Sequence, residues 1–248
     1  MRIGIIGAKG RMGQALIEVA EEDKIEIGAL IEKEGVEGEC KGIKYEDDLR
    51  KVYDRVDVFL EFTDPEATLQ NTLKLIEKPK PYVVGTTSLK EIHFEKFKEL
   101  SNKVPVFYSP NMSLGIHLIA GFFKKFSEFL KDYELEIMEL HHTGKKDAPS
   151  GTALFLFNEW KENVNKDSYP VFERREMKKK NEVLLAGFRV GNIPGEHTLF
   201  ISKGDEVIEL THKIYSRKVF ARGALFVAKK ILSFKKGFYT FKELLGEY

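Results

Sequence analysis

Apolar residues in the first third of the chain fall into short runs separated by amphipathic stretches. Ile3–Ile6 is a compact apolar run with the length of a strand. Gly7–Gly13 is a glycine-rich turn, and after it Met12, Leu16, Ile17 and Val19–Ala20 recur at helical spacing. Ile25–Ile31, Val56–Phe62, Tyr82–Val84 and Val104–Tyr108 read as further strands. Thr63-Asp64-Pro65 is a helix start, a capping side chain ahead of a first-turn proline. Strand and helix in alternation predict a parallel sheet with right-handed crossovers.

Beyond Asn111 the pattern changes. Leu114–Leu130 reads as one long apolar helix, and Tyr133–Ile137 alternates apolar and charged residues as a half-buried strand does. A polar loop and a helix over about Thr152–Trp160 follow. Val183–Val190, His197–Ser202 and Val207–Thr211, separated by Gly191, Pro194-Gly195 and Gly204-Asp205, predict a mixed or antiparallel sheet. Ala221–Leu232 is a helix that returns to the first domain. The expected division is a first domain of residues 1–112 and 217–248, interrupted by a second of residues 113–216.

Composition narrows the class. With 248 residues, 42% hydrophobic and 32% charged, the chain can bury a core and stay in solution. A net charge of +1 gives no global attraction to nucleic acid or to an anionic membrane, so neither is expected as a partner. No signal peptide and no stretch long enough to span a bilayer is read. Cys40 is the only cysteine, which excludes an internal disulfide and fits a cytoplasmic setting.

The turn Gly7-Ala8-Lys9-Gly10-Arg11-Met12-Gly13 is a spaced variant of the dinucleotide fingerprint, with one extra residue between its first two glycines. Glycine lets the backbone approach a pyrophosphate, the following helix offers free N–H groups to the anion, and Arg11 adds a charge. A ligand-free strand–helix turn is the alternative. Glu32, at the end of the next strand and about twenty residues on, is placed to accept from ribose hydroxyls. Lys33 beside it can hold a 2′-phosphate, so both NADH and NADPH are expected. Phe62, Gly85-Thr86-Thr87 and Ser109-Pro110-Asn111-Met112 lie at the carboxyl ends of later strands, where open parallel sheets bind ligands, although each also suits an ordinary turn. The fold class is therefore α/β, a Rossmann-like dinucleotide-binding domain with a second α+β domain carrying a mixed sheet.

The densest chemistry lies in Glu139-Leu140-His141-His142-Thr143-Gly144-Lys145-Lys146-Asp147-Ala148-Pro149-Ser150-Gly151-Thr152-Ala153. Free amides near Gly151 and Thr152, with the Ser150 and Thr152 hydroxyls, suit one carboxylate, and His142 and Lys145 can neutralise another. His141 can donate a proton near neutral pH, where an unperturbed imidazole titrates, and Lys145 is a second acid. Taken singly, Ser150 could be only a helix cap and Lys145-Lys146 a solvated loop. The nearby carboxylates lack a zinc spacing, so no metal is expected.

This segment resembles the signature of the dihydrodipicolinate reductase family. So do Gly7–Gly13, Glu32-Lys33-Glu34-Gly35, Phe62-Thr63, Gly85-Thr86-Thr87, Asn111-Met112-Ser113-Leu114-Gly115, Gly195-Glu196-His197-Thr198, Glu209-Leu210-Thr211-His212, Ser216-Arg217, Phe220-Ala221 and Gly223-Ala224. The resemblance implies reduction of 4-hydroxy-tetrahydrodipicolinate, a small cyclic dicarboxylate, to tetrahydrodipicolinate with NAD(P)H in diaminopimelate and lysine biosynthesis. It implies His141 and Lys145 as proton donors, His142, Gly151 and Thr152 as substrate contacts, and a cytoplasmic homotetramer built through the second domain. Thr143-Gly144 stands where bulkier basic residues are common, and the Phe172–Asn181 loop is short. Two other readings fit parts of the pattern. Against a dehydrogenase of an aspartate- or homoserine-type substrate the discriminator is Lys145 with Ser150-Gly151-Thr152 beside His141-His142, a combination that suits a dicarboxylate and that a substrate panel tests, and a dinucleotide sensor has no need of the histidine–lysine cluster.

Overall fold

A computed structural model describes residues 1–246. In chain order it contains β1 (Arg2–Ile6), α1 (Arg11–Glu22), β2 (Glu26–Ile31), β3 (Glu39–Cys40), β4 (Ile43–Glu46), a 3-10 segment over Leu49–Arg55, β5 (Val58–Glu61), α2 (Pro65–Glu77), β6 (Tyr82–Val84), α3 (Glu91–Ser101) and β7 (Pro105–Tyr108). There follow α4 (Leu114–Lys125), α5 (Ser127–Leu130), β8 (Glu134–His141), α6 (Gly151–Asn163), β9 (Tyr169–Val171), β10 (Glu182–Arg189), β11 (Gly195–Lys203) and β12 (Glu206–Ile214). The last elements are α7 (Lys218–Ile231), β13 (Gly237–Tyr239) and α8 (Phe241–Leu244). The chain divides into two compact units, one of Met1–Met112 with the segment from Arg217 to the last described residue, the other of Ser113–Ser216. Residues 247–248 of the first expected domain lie outside the described residues.

The first unit is a sheet ordered β13-β7-β6-β5-β1-β2-β4-β3, parallel except where β3 meets β4. Its central strands β1, β5, β6 and β7 are buried on both faces, so they read as continuous apolar runs rather than alternation. Phe59, Tyr82, Phe97 and Val106 fill one core. The strand order reverses at β1, which lies between β2 and β5. That reversal puts the Gly7–Gly13 turn beside the ends of β1 and β5, the place where open sheets take ligands. α7 packs on α1 and on β5 to β7, with Gly223 so close to the Met112 carbonyl that an added Cβ would lie 1.7 Å from it.

The second unit is a mixed sheet ordered β12-β11-β8-β10-β9. β8 is its middle strand, antiparallel to β11 and parallel to β10. Leu135, Ile137, Glu139 and His141 share the buried face of β8. Across from them on β11 stand Ile201, Leu199 and His197, so an apolar ladder ends in the pair Glu139–His197. Trp160, Phe123 and Phe157 close this core.

The structure differs from the pattern-based expectation in one helix and several short strands. Leu114–Leu130 is two helices, because Phe126 leaves helical geometry at φ −108° and ψ 16°. The buried positions Ile116, Ala120, Phe123 and Leu130 keep helical spacing across the break, so periodicity does not register it. β8 runs on to His141, four residues past the expected end. β3, β4, β9 and β13 have too few residues for a periodic signal.

Candidate active site

In the first unit the turn is built by hydrogen bonds that leave specific donors open. Gly7 has φ +81°, and a Cβ there would lie 2.8 Å from the Phe62 carbonyl. The Gly7 and Ala8 amides donate to the Ile31 carbonyl at 2.9 and 3.3 Å, and Gly10 donates to the Gly7 carbonyl at 3.0 Å. The Lys9 amide donates to the Glu32 carboxylate, fastening the end of β2 to the turn. Gly13 is needed for packing, since a Cβ would stand 2.2 Å from the Gly7 carbonyl. The amides of Arg11 and Met12, at the first turn of α1, therefore remain for an anion.

The other first-unit residues fall into three groups. Arg11, Lys33, Thr87 and Pro110 are exposed, and Glu32, Phe62, Gly85 and Asn111 are half-buried. The Lys9 ammonium lies over the Tyr45 ring, 4.7 Å from its centre, and donates to the Glu37 carbonyl at 3.3 Å. Ala8, Thr86, Ser109 and Met112 are buried. Met112 packs beneath Gly223, and the Ser109 hydroxyl closes a turn on the Asn111 carbonyl at 2.6 Å.

In the second unit three adjacent strands and one helix start converge on Glu139, which is 1% exposed. The Ser150 amide donates to its carboxylate at 3.0 Å. The Arg189 guanidinium donates to it at 3.0 Å, reaching over Gly187, where a Cβ would crowd both groups. His197 Nε2 lies 3.4 Å from it and His141 Nδ1 3.8 Å. Ser150 caps α6, accepting from the Ala153 amide at 3.2 Å, and its hydroxyl is 3.1 Å from His197 Nε2. The His141 and His197 rings stand nearly perpendicular with centres 5.1 Å apart. Lys145 pairs with Asp147 at 2.8 Å. Gly151, the first residue of α6, opens to free space, since a Cβ there would meet nothing within 4 Å.

Electrostatics follow from these contacts. Burial pulls the Glu139 carboxyl upward, but His197, Ser150 and Arg189 overcome it and hold the group down at about 2. Burial pushes His141 down to about 4 against the pull of Glu139, with His197, Lys145 and Arg189 adding to the fall. This corrects the expectation that His141 titrates near neutrality. Its imidazole is neutral at pH 7. Glu139, His141 and His197 also bring ligand-type atoms within 4.8 Å of one another, a grouping of the kind that holds a metal. Arg189 and the Ser150 amide already engage the Glu139 carboxylate, so the set is better matched to orienting an imidazole than to binding a cation.

His141, Ser150 and the start of α6 are thus brought together, with Lys145 and His142 on the connecting loop. The roles of Glu139, Arg189 and His197 were not legible in the pattern. His197 carried a signal within the Gly195–Thr198 motif and as an odd-numbered partner of Leu199 and Ile201 on one strand face, and neither told its role.

The comparisons with known proteins decide the family. The profile described as "Dihydrodipicolinate reductase, N-terminus" matches residues 1–112, and "Dihydrodipicolinate reductase, C-terminus" matches residues 115–245. The chain belongs to the dihydrodipicolinate reductase family. Proteins named 4-hydroxy-tetrahydrodipicolinate reductase are similar to it over nearly their whole length. The Thermosipho africanus protein is 38% identical, covering 100% of this chain and 99% of its own. The Aquifex aeolicus protein is 37% identical over 99% of each. The solved dihydrodipicolinate reductase of Paenisporosarcina sp. TG-14, bound to dipicolinate, shares the fold with a TM-score of 0.82 at 21% identity over 97% of both chains. An engineered D-amino acid dehydrogenase bound to NADP+ shares it more loosely, with a TM-score of 0.61 at 14% identity, over 98% of this chain and 93% of its own. Membership of this reductase family makes the protein an oxidoreductase with a nicotinamide dinucleotide-binding fold. No helix among the described residues is long and apolar enough to cross a membrane.

Proposed function

We propose that this protein reduces 4-hydroxy-tetrahydrodipicolinate to tetrahydrodipicolinate with NADH or NADPH, a step of diaminopimelate and lysine biosynthesis in the cytoplasm. The observation that carries the reading is the open start of α6 at Gly151, held beside the buried imidazole of His141 through Glu139, Ser150 and His197. A cyclic dicarboxylate needs two anion sites and one acid. Ser150, Gly151 and Thr152 receive one carboxylate at the helix start, and His142 and Lys145 neutralise the other. The bound dianion raises the proton affinity of His141, and Glu139 stabilises the imidazolium, so that His141 takes up the proton it delivers to the substrate ring. Lys145 exchanges Asp147 for the substrate and acts as second acid.

The turn fits a dinucleotide, because its backbone closes on glycine and the Arg11 and Met12 amides face outward from α1. Gly7, Ala8, Lys9 and Gly10 shape the seat of the pyrophosphate, and Arg11 adds a charge. Glu32 accepts from ribose hydroxyls, while Lys33, with Lys9 beside it, receives a 2′-phosphate. Phe62, Gly85, Thr86, Thr87, Ser109, Pro110, Asn111 and Met112 form the strand ends that meet the rest of the cofactor. The substrate's 4-hydroxyl and a ring proton leave as water, and a reduced nicotinamide, when bound, would supply the hydride that, with the proton from His141, takes their place. We assign cofactor binding to residues 1–112 and 217–248, and substrate binding with assembly to residues 113–216. A homotetramer through the second unit is favoured by its edge strand β12, where Val207 is exposed.

The test follows loss of reduced nicotinamide absorbance, with the substrate generated in place by a coupled synthase. The wild-type protein turns over with either cofactor. His141→Gln lowers kcat by roughly a hundredfold or more with little change in cofactor affinity. Lys145→Ala lowers kcat and raises KM together. Near-normal kcat in His141→Gln makes that histidine structural, and cofactor binding without turnover in the wild type leaves a sensor.

A further inference from the structure

Behind the ends of β5 and β6 runs a buried polar chain to which the reaction assigns no role. Glu61, the last residue of β5, is 0% exposed. One carboxyl oxygen receives the Thr63 hydroxyl. The other receives the Asn71 amide at 3.0 Å and the Tyr82 hydroxyl at 2.9 Å. All three donors are neutral. From Thr63 the chain continues: its amide donates to the Thr86 hydroxyl oxygen at 3.3 Å, Thr68 donates to the same oxygen at 2.8 Å, and the Thr63 and Thr68 hydroxyls lie 3.4 Å apart. The Phe62 ring covers Gly85 so closely that a Cβ there would lie 2.0 Å from it. The Phe62-Thr63 and Gly85-Thr86 loops are therefore one assembly with Glu61 at its root.

We propose that Glu61 is a positioning residue for the dinucleotide, its carboxyl group setting both the donor–acceptor sense of the Thr63 hydroxyl and the charge behind these loops, and with them the affinity of the loops for the cofactor. The inference rests on the reading that the loops hold the cofactor. An ionised carboxylate only accepts, so the Thr63 hydroxyl must point its hydrogen inward. A protonated carboxyl can donate to Thr63, whose hydrogen then turns to the Asp64 carbonyl, 3.3 Å away, or to Thr68. The heavy atoms keep their places and the sense of the Thr63 hydroxyl reverses, while Thr68 goes on donating to Thr86.

The surroundings put this reversal within reach of neutral pH. Burial pushes Glu61 up to about 7, against the pull of Thr63, Tyr82 and Asn71, and Asp64 at the cap of α2 pushes it further up. The other ionisable group facing it is Tyr82 of β6, held protonated by its own burial and by Glu61. α2 presents only Thr68, Asn71 and Thr72 to this network. A dinucleotide is an anion, so it binds better when Glu61 is neutral.

The experiment titrates NADH onto the full-length wild type, Glu61→Gln and Tyr82→Phe by nicotinamide fluorescence between about pH 6 and 8.5. Wild-type Kd rises roughly fivefold across the range. Glu61→Gln, whose amide reproduces the acid's hydrogen bonds, keeps the low-pH affinity throughout. Tyr82→Phe removes a donor to the carboxylate and moves the inflection to higher pH. A wild type that binds NADH with no pH dependence, a Glu61→Gln that follows the wild type, or a Tyr82→Phe inflection that stays in place overturns the proposal. A wild type that does not bind NADH at any pH overturns instead the cofactor reading on which it stands.

Discussion

Two buried glutamates, one in each unit, have opposite fates. Glu61 is 0% exposed and Glu139 is 1% exposed, and both lie at or near the end of a strand. Burial pushes the first up to about 7, while the second is held down at about 2. Surface exposure alone therefore does not separate them. Glu61 meets three neutral donors, enough to satisfy its oxygens and too little to offset a buried charge. Glu139 meets the Arg189 guanidinium, a main-chain amide and two imidazoles. The partner set decides whether a buried carboxyl is an acid held in reserve or a permanent anion.

The comparison can be broken most sharply at Glu139. Replacing it with leucine leaves Arg189 without its carboxylate, and the unfolding free energy in urea should fall by about 3 kcal/mol or more. A loss below about 1 kcal/mol would mean that the pair carries no special weight.

Next in size is the pH dependence of stability. Folded Glu61 keeps its proton up to about 7, whereas the unfolded chain releases it near the ordinary 4.5. The unfolded state binds fewer protons in that window, so stability falls as pH rises through it, by on the order of 3 kcal/mol. His141 runs the other way. Its folded value is about 4 and its ordinary value 6.5, so stability rises with pH between them by a similar amount. In the summed unfolding free energy the two slopes cancel from about pH 4.5 to 6.5, and a transition confined to one unit carries only its own slope. Glu61→Gln should expose the rise and His141→Gln the fall. Denaturant melts at the two ends of the window decide it, and unchanged slopes in both variants would refute the assignment.

A smaller effect concerns proton uptake. A cyclic dicarboxylate bound near neutral pH should draw close to one proton onto His141, visible by calorimetry in two buffers of different ionisation enthalpy. No uptake would show that His141 stays neutral in the complex. Smallest is Lys33→Glu, which should weaken NADPH several-fold more than NADH. Equal losses would transfer the 2′-phosphate to Lys9.

Much of this architecture was legible in advance. The β6 limits, Tyr82–Val84, coincide with the apolar run, and the glycine turn lies where β1 passes into α1. β8, β10, β11 and β12 of the second unit differ from the pattern by a few residues at their ends, and β9 is not in it. What could not be read was contact between distant strands. Arg189 reaches Glu139 across 50 residues of sequence and Ser150 meets His197 across 47, and no local spacing encodes either. The protonation of His141 was misjudged for the same reason, since its ordinary value ignores a burial that only the assembled sheet creates.

The central place of β8 has a consequence for how the protein comes into being. Both of its flanking strands lie later in the chain, so during synthesis His141 emerges before either neighbour exists. Zipping β11 onto β8 seats Leu199 against Ile137 and, in the same register, His197 against Glu139. That long-range pairing closes the apolar ladder and brings His197 to Glu139, while Arg189 arrives with β10, and such events are slow compared with helix formation. Regain of activity on refolding should therefore keep step with the last core-forming phase, with no inactive but fully packed species accumulating after it.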